Sequence, residues 1–395
     1  MIFCPDHIAR VILRFLTAGE QAYIVGGSLR DMLIGLPPHD FDIATSALPE
    51  KTASIFADKR VIKTGIKHGT VTVLFDDEPI EITTFRIDGS YTDARHPDSV
   101  EFTRNITEDL SRRDFTINAM AYNDECGLID PFDGKADIDR RLIRAVGNPQ
   151  KRFSEDALRI MRAFRFCAQL GFDIEKATLD GAKNTCHLLG QVARERIGNE
   201  FLRLICSEHP YTAIKLMQEC GVLVHVLGSY MPSDSVIKAL NELPSEITSR
   251  LAMLLSEADE ECARGILHGL KCSNKQITGT LAIIRGSGVR VESEKDARHL
   301  ISLTGIYAEA AARVSELIGV SPMGAAEITR LQQSKPCSLK DLAVNGKDLS
   351  VLGIKGKAIG EILNELMERV LEDPQLNDRE ALLNMARELI NAKEE

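Results

Sequence analysis

The stretch VGGSLRDMLIGLPPHDFDIATSALPE, Val25 to Glu50, decides how the N-terminal part of this chain is built. Two aspartates, Asp40 and Asp42, stand on either side of one aromatic residue. Residues two apart on a strand point to the same side, so their carboxylates would lie together. This arrangement is costly unless a divalent cation sits between the like charges, and oxygen-only ligands favour Mg²⁺. The stretch therefore predicts a magnesium site, with a turn and helix-capping pair as the alternative.

The double glycine earlier in the same stretch predicts a place for phosphate beside that metal. Gly26 and Gly27 have no side chains to block close approach, and a helix expected from Ser28 would direct free backbone N–H groups toward an anion. Arg30, at the start of that helix, is a candidate phosphate ligand, and Asp31 would brace the turn. The alternative for Arg30 is a surface salt bridge.

A third carboxylate is expected because two-metal phosphoryl chemistry usually needs one. Glu81, in the strand sequence IEITTF, is the best candidate, since a neighbouring strand can aim it at the same point. The alternative is an exposed strand residue with no part in the site.

Length and pattern predict several domains in an α+β chain. The 395 residues are too many for one compact core. Short β-rich runs at Ala22–Val25, Thr70–Phe75 and Ile80–Phe85 alternate with helical stretches up to about residue 149, whereas long helical periodicities follow from Glu155 onward. We predict an α/β head over 1–149 followed by all-helical parts over 150–206, 207–290 and 291–395.

Composition excludes several classes of protein. The net charge of −10 argues against indiscriminate coating of nucleic acid, although local basic patches are still able to hold a phosphate backbone. The nine cysteines are scattered without C-x-x-C spacing, which predicts reduced thiols. No apolar run is long enough to cross a membrane and the N-terminal sequence does not read as a signal peptide, so we predict a cytoplasmic protein.

An ordered series of motifs carries a family resemblance. GGSLRD and DFDIATSALP are followed by EDLSRRDFTINAMAYN, DPFDGKADI, RFSEDALRIMRAFRFCAQLGF and ARERIGNEF. The series resembles the polymerase beta-like nucleotidyltransferases, and more narrowly the class II CCA-adding tRNA nucleotidyltransferases and bacterial poly(A) polymerases. The resemblance implies a polymerase beta-like head, a helical neck that recognises the nucleotide base, and a helical body and tail that bind tRNA.

RRDFTINAM is the segment that, in the family it resembles, recognises the ribose. It places Arg113, Asp114 and Asn118 within two turns of a predicted helix, with the last two at i, i+4. Polar groups that pair with a sugar hydroxyl discriminate strongly, because a deoxy substrate leaves them unpaired. An N-capping role for Asp114 is the alternative.

EDALR predicts a template made of protein. Asp156 and Arg159 would share one face of a helix beginning near Glu155, where a carboxylate and a guanidinium together can hydrogen-bond the Watson–Crick edge of a base. The resemblance implies that this pair accepts CTP and ATP and rejects GTP and UTP. The alternative is a helix-surface ion pair. Arg162 and Arg165 extend the basic patch and are further candidates for nucleotide binding.

Two other segments refine the expected activity. The polar stretch Arg86 to Phe102 predicts a mobile loop. The resemblance implies that this loop serves the switch from C to A addition and favours full CCA addition, although His96 stands where the family usually has arginine. Near the C-terminus, GIKGKAIG places Lys355 and Lys357 in a predicted phosphate-gripping hairpin, for which a simple glycine-rich turn is nearly as good an explanation.

Together these observations predict a template-independent enzyme that adds CCA to the 3′ end of tRNA from CTP and ATP with Mg²⁺, and that needs no obligate protein partner. The nearest alternative is a poly(A) polymerase or a partial CC- or A-adding enzyme. An RNA-binding protein on an inactive scaffold is a more distant one, because a purely binding role needs neither Asp40 and Asp42 nor Asp156 and Arg159.

Overall fold

The structure is a computed structural model, and it describes residues 4–38, 40–66, 69–89, 99–333 and 336–394. The chain divides into two compact units, residues 1–231 and 232–395. The predicted division into four parts is finer than this and stays a prediction. No helix within the described ranges is long and apolar enough to cross a membrane.

The first unit contains all eleven strands seen in the described residues. They are β1 Ala22–Val25, β2 Asp42–Thr45, β3 Arg60–Ile62, β4 Thr70–Phe75, β5 Glu78–Thr84, β6 Arg86–Asp88, β7 Val100–Phe102, β8 Ala121–Asn123, β9 Gly127–Ile129, β10 Leu142–Ile143 and β11 Asp173–Ile174. The strands predicted from sequence at 22–25 and 70–75 are confirmed, and the third begins two residues earlier than expected.

Eleven α-helices also lie within the described part of the first unit. They are α1 Asp6–Thr17, α2 Gly26–Ile34, α3 Pro49–Ile55, α4 Ile106–Ser111, α5 Gly134–Asp139, α6 Pro149–Glu155, α7 Leu158–Leu170, α8 Lys176–Thr185, α9 Arg194–Ile205, α10 Pro210–Glu219 and α11 Val224–Leu227. Helix α1 shows why the amphipathic pattern works: Ile8, Val11, Ile12 and Phe15 recur at helical spacing and are all buried.

A seven-stranded mixed sheet organises the head, in the order β3-β4-β5-β2-β1-β8-β9. Strands β2 and β5 are parallel neighbours, and β1 lies antiparallel on the other side of β2. Alternate burial along β4 is typical of a sheet with one face packed against the core. The apolar cluster of the head joins Tyr23, Val25 and Ala44 of the sheet to Ile106 and Leu110 of α4.

The second unit is helical throughout its described residues. Its helices are α12 Asp234–Ala239, α13 Ile247–Leu254, α14 Glu260–Gly269, α15 Asn274–Ser287, α16 Glu294–Thr304, α17 Ala308–Leu317, α18 Ala325–Gln333, α19 Gly346–Val351, α20 Lys357–Glu372 and α21 Arg379–Glu394. The predicted α+β class, an α/β head followed by helices, is therefore confirmed. One detail differs, because β11 lies beyond Glu155 and forms a short parallel pair with β10.

Candidate active site

One cleft in the first unit gathers most of the residues singled out from the sequence. It has a volume of about 590 Å³ and is lined by eight arginines and five aspartates together with Gly26, Gly27 and Asn118. A surface with more guanidinium than carboxylate groups attracts an anion such as a polyphosphate. Its charged lining residues are Arg30, Asp31, Asp40, Asp42, Arg112, Arg113, Asp114, Asp156, Arg159, Arg162, Arg165, Arg196 and Arg203.

Sheet register builds the acidic edge of this cleft. Asp42 is the first residue of β2, opposite Val25 of β1 on one side and Glu81 of β5 on the other. Asp40 lies just before the strand, so the expectation that both aspartates sit on one strand is wrong, although both line the cleft. Glu81 is beside Asp42 as the sequence suggested, but it does not line the cleft itself.

The backbone conformation at position 26, beside the acidic edge, requires a glycine. Its φ of +73° is a conformation that residues with a side chain rarely adopt. A β-carbon there would lie 3.1 Å from Nη1 of Arg113 and 3.4 Å from Oδ2 of Asp42. Helix α2 begins at Gly26, two residues earlier than expected, and Arg30 lies in its second turn.

The carboxylates at this edge suit a divalent cation. Asp42 opens onto the cleft, yet the protein packed around it is enough to raise its pKa by burial, with Glu81 and Asp40 adding to the rise and Arg113 opposing it. Among the described residues, neither Asp40, Asp42 nor Glu81 forms an ion pair, and no three His, Cys, Asp or Glu side chains form a ready-made metal cage. Two unpaired carboxylates fit Mg²⁺ well, because this ion is usually bound by one or two carboxylates plus substrate phosphates and water.

The ribose segment is arranged differently from the predicted helix. Residues 116–118 form one 3-10 turn, and Asp114 precedes it in the chain. The two predicted partners still meet, since Nδ2 of Asn118 donates to Oδ1 of Asp114 at 3.2 Å. Arg30 donates to Oδ1 of Asn118 at 2.9 Å, and Nε of Arg162 donates to Oδ2 of Asp114 at 2.7 Å. Burial alone would raise the pKa of Asp114, but Arg162 and Arg159 outweigh it and hold that pKa well below its ordinary value.

The helix boundary in the EDALR segment differs from the predicted one. Helix α6 ends at Glu155, Asp156 is extended with φ −143°, and α7 begins at Leu158. The break arises because the Asp156 carboxylate accepts the backbone N–H of Leu158 at 3.0 Å, which is a capping bond that competes with a continuous helix. Asp156 and Arg159 therefore do not share a helix face as i, i+3 neighbours.

Each member of that pair has another partner. Oδ2 of Asp156 accepts from Nη2 of Arg196 on α9 at 3.1 Å. Arg159 pairs with Glu155 at 2.9 Å and donates to the backbone oxygen of Arg112 at 3.1 Å. Both side chains nevertheless line the same cleft, so the structure brings them together at the site without joining them.

Buried acids position the remaining arginines. Asp109 of α4 is almost fully buried and pairs with Arg112 at 2.8 Å and Arg113 at 3.3 Å. Glu200 of α9 pairs with Arg165 of α7 in the same way, and both are nearly buried. These contacts fix the directions of the guanidinium groups that form the wall of the cleft.

Two predicted features fall elsewhere. Lys355 and Lys357 belong to the second unit, in an exposed hairpin whose glycines Gly353 and Gly356 have φ of +88° and +60°. Residues 90–98 of the predicted loop lie outside the described residues. The prediction of a loop is wrong at both ends of that stretch, because Arg86–Asp88 and Val100–Phe102 form the paired strands β6 and β7.

Comparisons with known proteins agree over the whole length. Family models match three stretches: the poly A polymerase head domain at residues 22–144, a probable RNA and SrmB-binding site of polymerase A at 171–232, and a putative tRNA nucleotidyltransferase domain 2 at 243–386. A CCA-adding enzyme of Ligilactobacillus salivarius is 37% identical, covering 98% of both chains. One from Limosilactobacillus fermentum is 38% identical over 97% of each.

The chain belongs to the CCA-adding enzyme family. It resembles the crystal structure of the Bacillus stearothermophilus CCA-adding enzyme in complex with CTP, with a TM-score of 0.85, 31% identity and 99% of each chain covered. The fold is also that of the Thermotoga maritima CCA-adding enzyme complexed with tRNA, with a TM-score of 0.71, 22% identity, and 98% and 97% of the two chains covered. Membership of this family makes the chain a nucleotidyltransferase, and enzymes of this kind depend on divalent metal.

Some residues of the cleft were missed by the sequence reasoning. Asp109 precedes Arg112 and Arg113 by three and four residues, a helical spacing that could have revealed the pairing. Arg203 follows Arg196 by two helical turns and could have been found by the same periodicity. Phe166 follows Arg162 by four residues on α7, a spacing that could have indicated their contact, whereas its contact with Arg30 and the pairing of Glu200 with Arg165 join distant parts of the chain.

Proposed function

We propose that this protein builds and repairs the 3′ CCA end of tRNA by successive nucleotidyl transfer from CTP and ATP, without a nucleic-acid template. The observation that carries this is a single cleft where the Asp42 edge of the sheet faces a wall of arginines. Nucleotidyl transfer needs little covalent help from the protein. It is accelerated mainly by positioning the triphosphate and the attacking hydroxyl and by stabilising charge.

Mg²⁺ is the divalent ion that we assign to the acidic edge, held by Asp40 and Asp42. When bound, such ions activate the RNA 3′-hydroxyl and neutralise charge on the leaving pyrophosphate. Glu81, paired in register with Asp42, is the proposed supporting carboxylate. The negative charge of Glu81 would help to attract a cation, and its position on the neighbouring strand β5 would keep it close to Asp42.

The ribose segment RRDFTINAM and the arginine wall would hold the nucleotide. The arginine wall consists of the arginines that line the cleft: Arg30, Arg112, Arg113, Arg159, Arg162, Arg165, Arg196 and Arg203. Gly26 and Gly27 leave room at the N-terminus of α2 for phosphate oxygens, and Arg30 and Arg113 offer donors beside them. Asp114 and Asn118 form a fixed, hydrogen-bonded pair suited to the ribose hydroxyls. Such a prearranged pair would reject a deoxyribose, which cannot satisfy its buried polar atoms.

Base selection is assigned to Asp156 and Arg159. Both are already engaged, with Arg196 and Glu155 respectively, so each has a defined direction before a base arrives. The acceptor and the donor face the same cleft and would meet the edge of cytosine or adenine there. Arg162 and Arg165 on the same helix would contribute positive charge to nucleotide binding.

We also infer full CCA addition and cytoplasmic action. The segment predicted as a loop between β6 and β7 motivates the first inference, because the resemblance links this segment to the switch from C to A addition. Replacing residues 88–97 by a short Gly/Ser linker should spare CC addition and impair addition of the terminal A. Products with normal CCA ends would show that the loop is dispensable. The second inference rests on the predicted reduced thiols and on tRNA as substrate.

The deciding experiment offers tRNA transcripts lacking CCA, CA or A to the purified protein with each labelled NTP alone and in combination. We expect C, C and A to be added in order, and product lengths on a sequencing gel to stop at the mature end. Long homopolymers of A would indicate a poly(A) polymerase. Products ending at CC would indicate a partial enzyme, and binding without incorporation would indicate an inactive RNA-binding scaffold.

A further inference from the structure

The floor of the cleft contains one aromatic ring surrounded by three guanidinium groups. The ring is Phe166 of α7, which is 4% exposed. The Cζ atoms of Arg30, Arg162 and Arg165 lie 4.9, 5.2 and 4.2 Å from its centroid. All three distances are within the range of a cation–π contact, in which the negative face of the ring attracts a cation.

The three arginines come from two separate elements, and each is also held by a polar partner. Arg30 of α2 donates to Asn118, Arg162 of α7 pairs with Asp114 at 2.6 Å, and Arg165 pairs with Glu200. Asn118 and Asp114 are hydrogen-bonded to each other in the ribose segment, whereas Glu200 lies on α9. Among the described residues, Phe166 is the ring that all three guanidinium groups contact.

Three like charges around one buried point repel each other, and the acids do not offset this equally at each arginine. Burial lowers the pKa of Arg165 and Arg162 lowers it further, whereas Asp114 and Glu200 outweigh burial and raise the pKa of Arg162. A ring whose face attracts cations counters this repulsion without supplying a carboxylate. A carboxylate at the same place would weaken the attraction of the cleft for an anionic ligand.

We propose that Phe166 is a positioning residue for the triphosphate: its ring holds Arg30, Arg162 and Arg165 together so that their charge is available to the nucleotide. This inference rests on the proposed function. The Phe166 ring itself is fixed by an edge contact with Phe115, whose centroid is 5.8 Å away and which is fully buried. The contact between Phe115 and Phe166 connects the ribose segment to α7, so the Phe166 ring is held in place before the nucleotide binds.

The same helix supplies a matched control. Phe164 is two residues earlier on α7, is fully buried, and has no cation over its ring among the described residues. Phe164→Leu and Phe166→Leu remove the same atoms from the same helix. Only the second should change how charge is arranged in the cleft, whereas both should lower stability through lost packing.

The test compares binding of CTP with binding of cytidine, which lacks phosphates, by wild type and both variants. We expect Phe166→Leu to weaken CTP binding and raise its KM about tenfold, with cytidine binding and kcat changed less than about twofold. Phe164→Leu should leave both ligands unaffected once a melting curve shows that it is folded. Equal weakening of CTP and cytidine, or the same result for both leucine variants, would make Phe166 an ordinary core residue.

A second measurement keeps the inference testable if Phe166→Leu does not fold. Phenylalanine carrying one, two or three fluorines at position 166 keeps nearly the same shape and progressively weakens the negative face of the ring. CTP affinity should fall stepwise through that series, and a flat series would overturn the inference. The activity of the wild type distinguishes failure of the proposed function from failure of the proposed role of Phe166. If it neither binds CTP nor extends tRNA, the proposed function has failed, whereas an active wild type with a flat series removes only the role of Phe166.

Discussion

The two sides of the cleft use charge in opposite ways. On the sheet side, neither Asp40 nor Asp42 forms an ion pair among the described residues, and the pKa of Asp42 is raised by burial, with Glu81 and Asp40 adding to the rise against Arg113. On the helical side, Arg159, Arg162 and Arg165 are each matched with an acid. The difference teaches that the acidic edge is built to receive a cation, whereas the arginine wall is built to keep its shape while it receives an anion.

Removing the acidic edge should have the largest effect. We expect Asp42→Ala to reduce nucleotide incorporation by at least about a hundredfold, because several kcal/mol of charge stabilisation are lost with the ion. tRNA affinity should change little, since it comes from distributed backbone contacts. Paired incorporation and filter-binding assays measure both, with the exposed Glu50→Ala as control. Residual turnover above about a hundredth of the wild-type rate would remove Asp42 from the metal site.

Breaking one ion pair of the arginine wall should come next. Asp114→Asn keeps the shape of the side chain and leaves Arg162 without its acid, so we expect the free energy of unfolding at pH 7 to fall by about 1–3 kcal/mol. The pKa of Asp114 is held below its ordinary value of 3.8. The stability that it contributes is present above that value and is lost as the pH falls toward the depressed pKa.

Urea denaturation at pH 7, 5 and 3 checks this second prediction. The difference between wild type and Asp114→Asn should shrink below about pH 4, where the unfolded wild type takes up a proton more readily than the folded protein. Asp139→Asn is the matched control, because this aspartate is exposed and forms its ion pair with a surface lysine, Lys135. A difference that stays constant down to pH 3 would contradict the assigned role of the Asp114 charge.

Replacing Arg159 tests whether the arginine wall also selects among the four nucleotides. Arg159→Ala removes a donor facing the base, so kcat/KM for CTP and ATP should fall about tenfold, while GTP and UTP lose less. The four NTPs are compared on a tRNA ending before its CCA, with a melting curve to confirm folding and the exposed Lys151→Ala as control. A uniform fall for all four nucleotides, with Asp156→Ala behaving alike, would reduce these residues to structural ion pairs.

The smallest effect is expected away from the cleft, at the exposed hairpin of the second unit. Replacing Lys355 and Lys357 by alanine should weaken tRNA binding a few-fold and reduce the salt dependence by about one unit of slope per lysine. Binding measured at several salt concentrations, beside the exposed Lys340→Ala, decides this. Unchanged slopes would leave the hairpin as a glycine-rich turn.

Local features of the sequence were enough for the class of fold and for many residues of the cleft. Strands β1 and β4 followed from β-rich runs, and the helical second unit followed from long apolar periodicity. Asn118 was found through the resemblance of RRDFTINAM to a known family, whereas Gly26 and Asp42 were found because glycine pairs and spaced acids reflect interactions between near neighbours. Such interactions are encoded within a few residues and can be read without a structure.

Only the tertiary structure decided how these groups are paired. The sequence predicted that Asp156 and Arg159 are neighbours on one helix. In the structure a capping bond interrupts that helix, and the Asp156 carboxylate pairs with Arg196, 40 residues later in the chain. The register of Asp42 with Glu81 and the meeting of Arg30 with Phe166 likewise join distant parts of the chain. The physical reason is that the direction of a charged side chain is set by whichever partner packing brings within a few ångströms, and packing depends on the whole first unit rather than on local spacing.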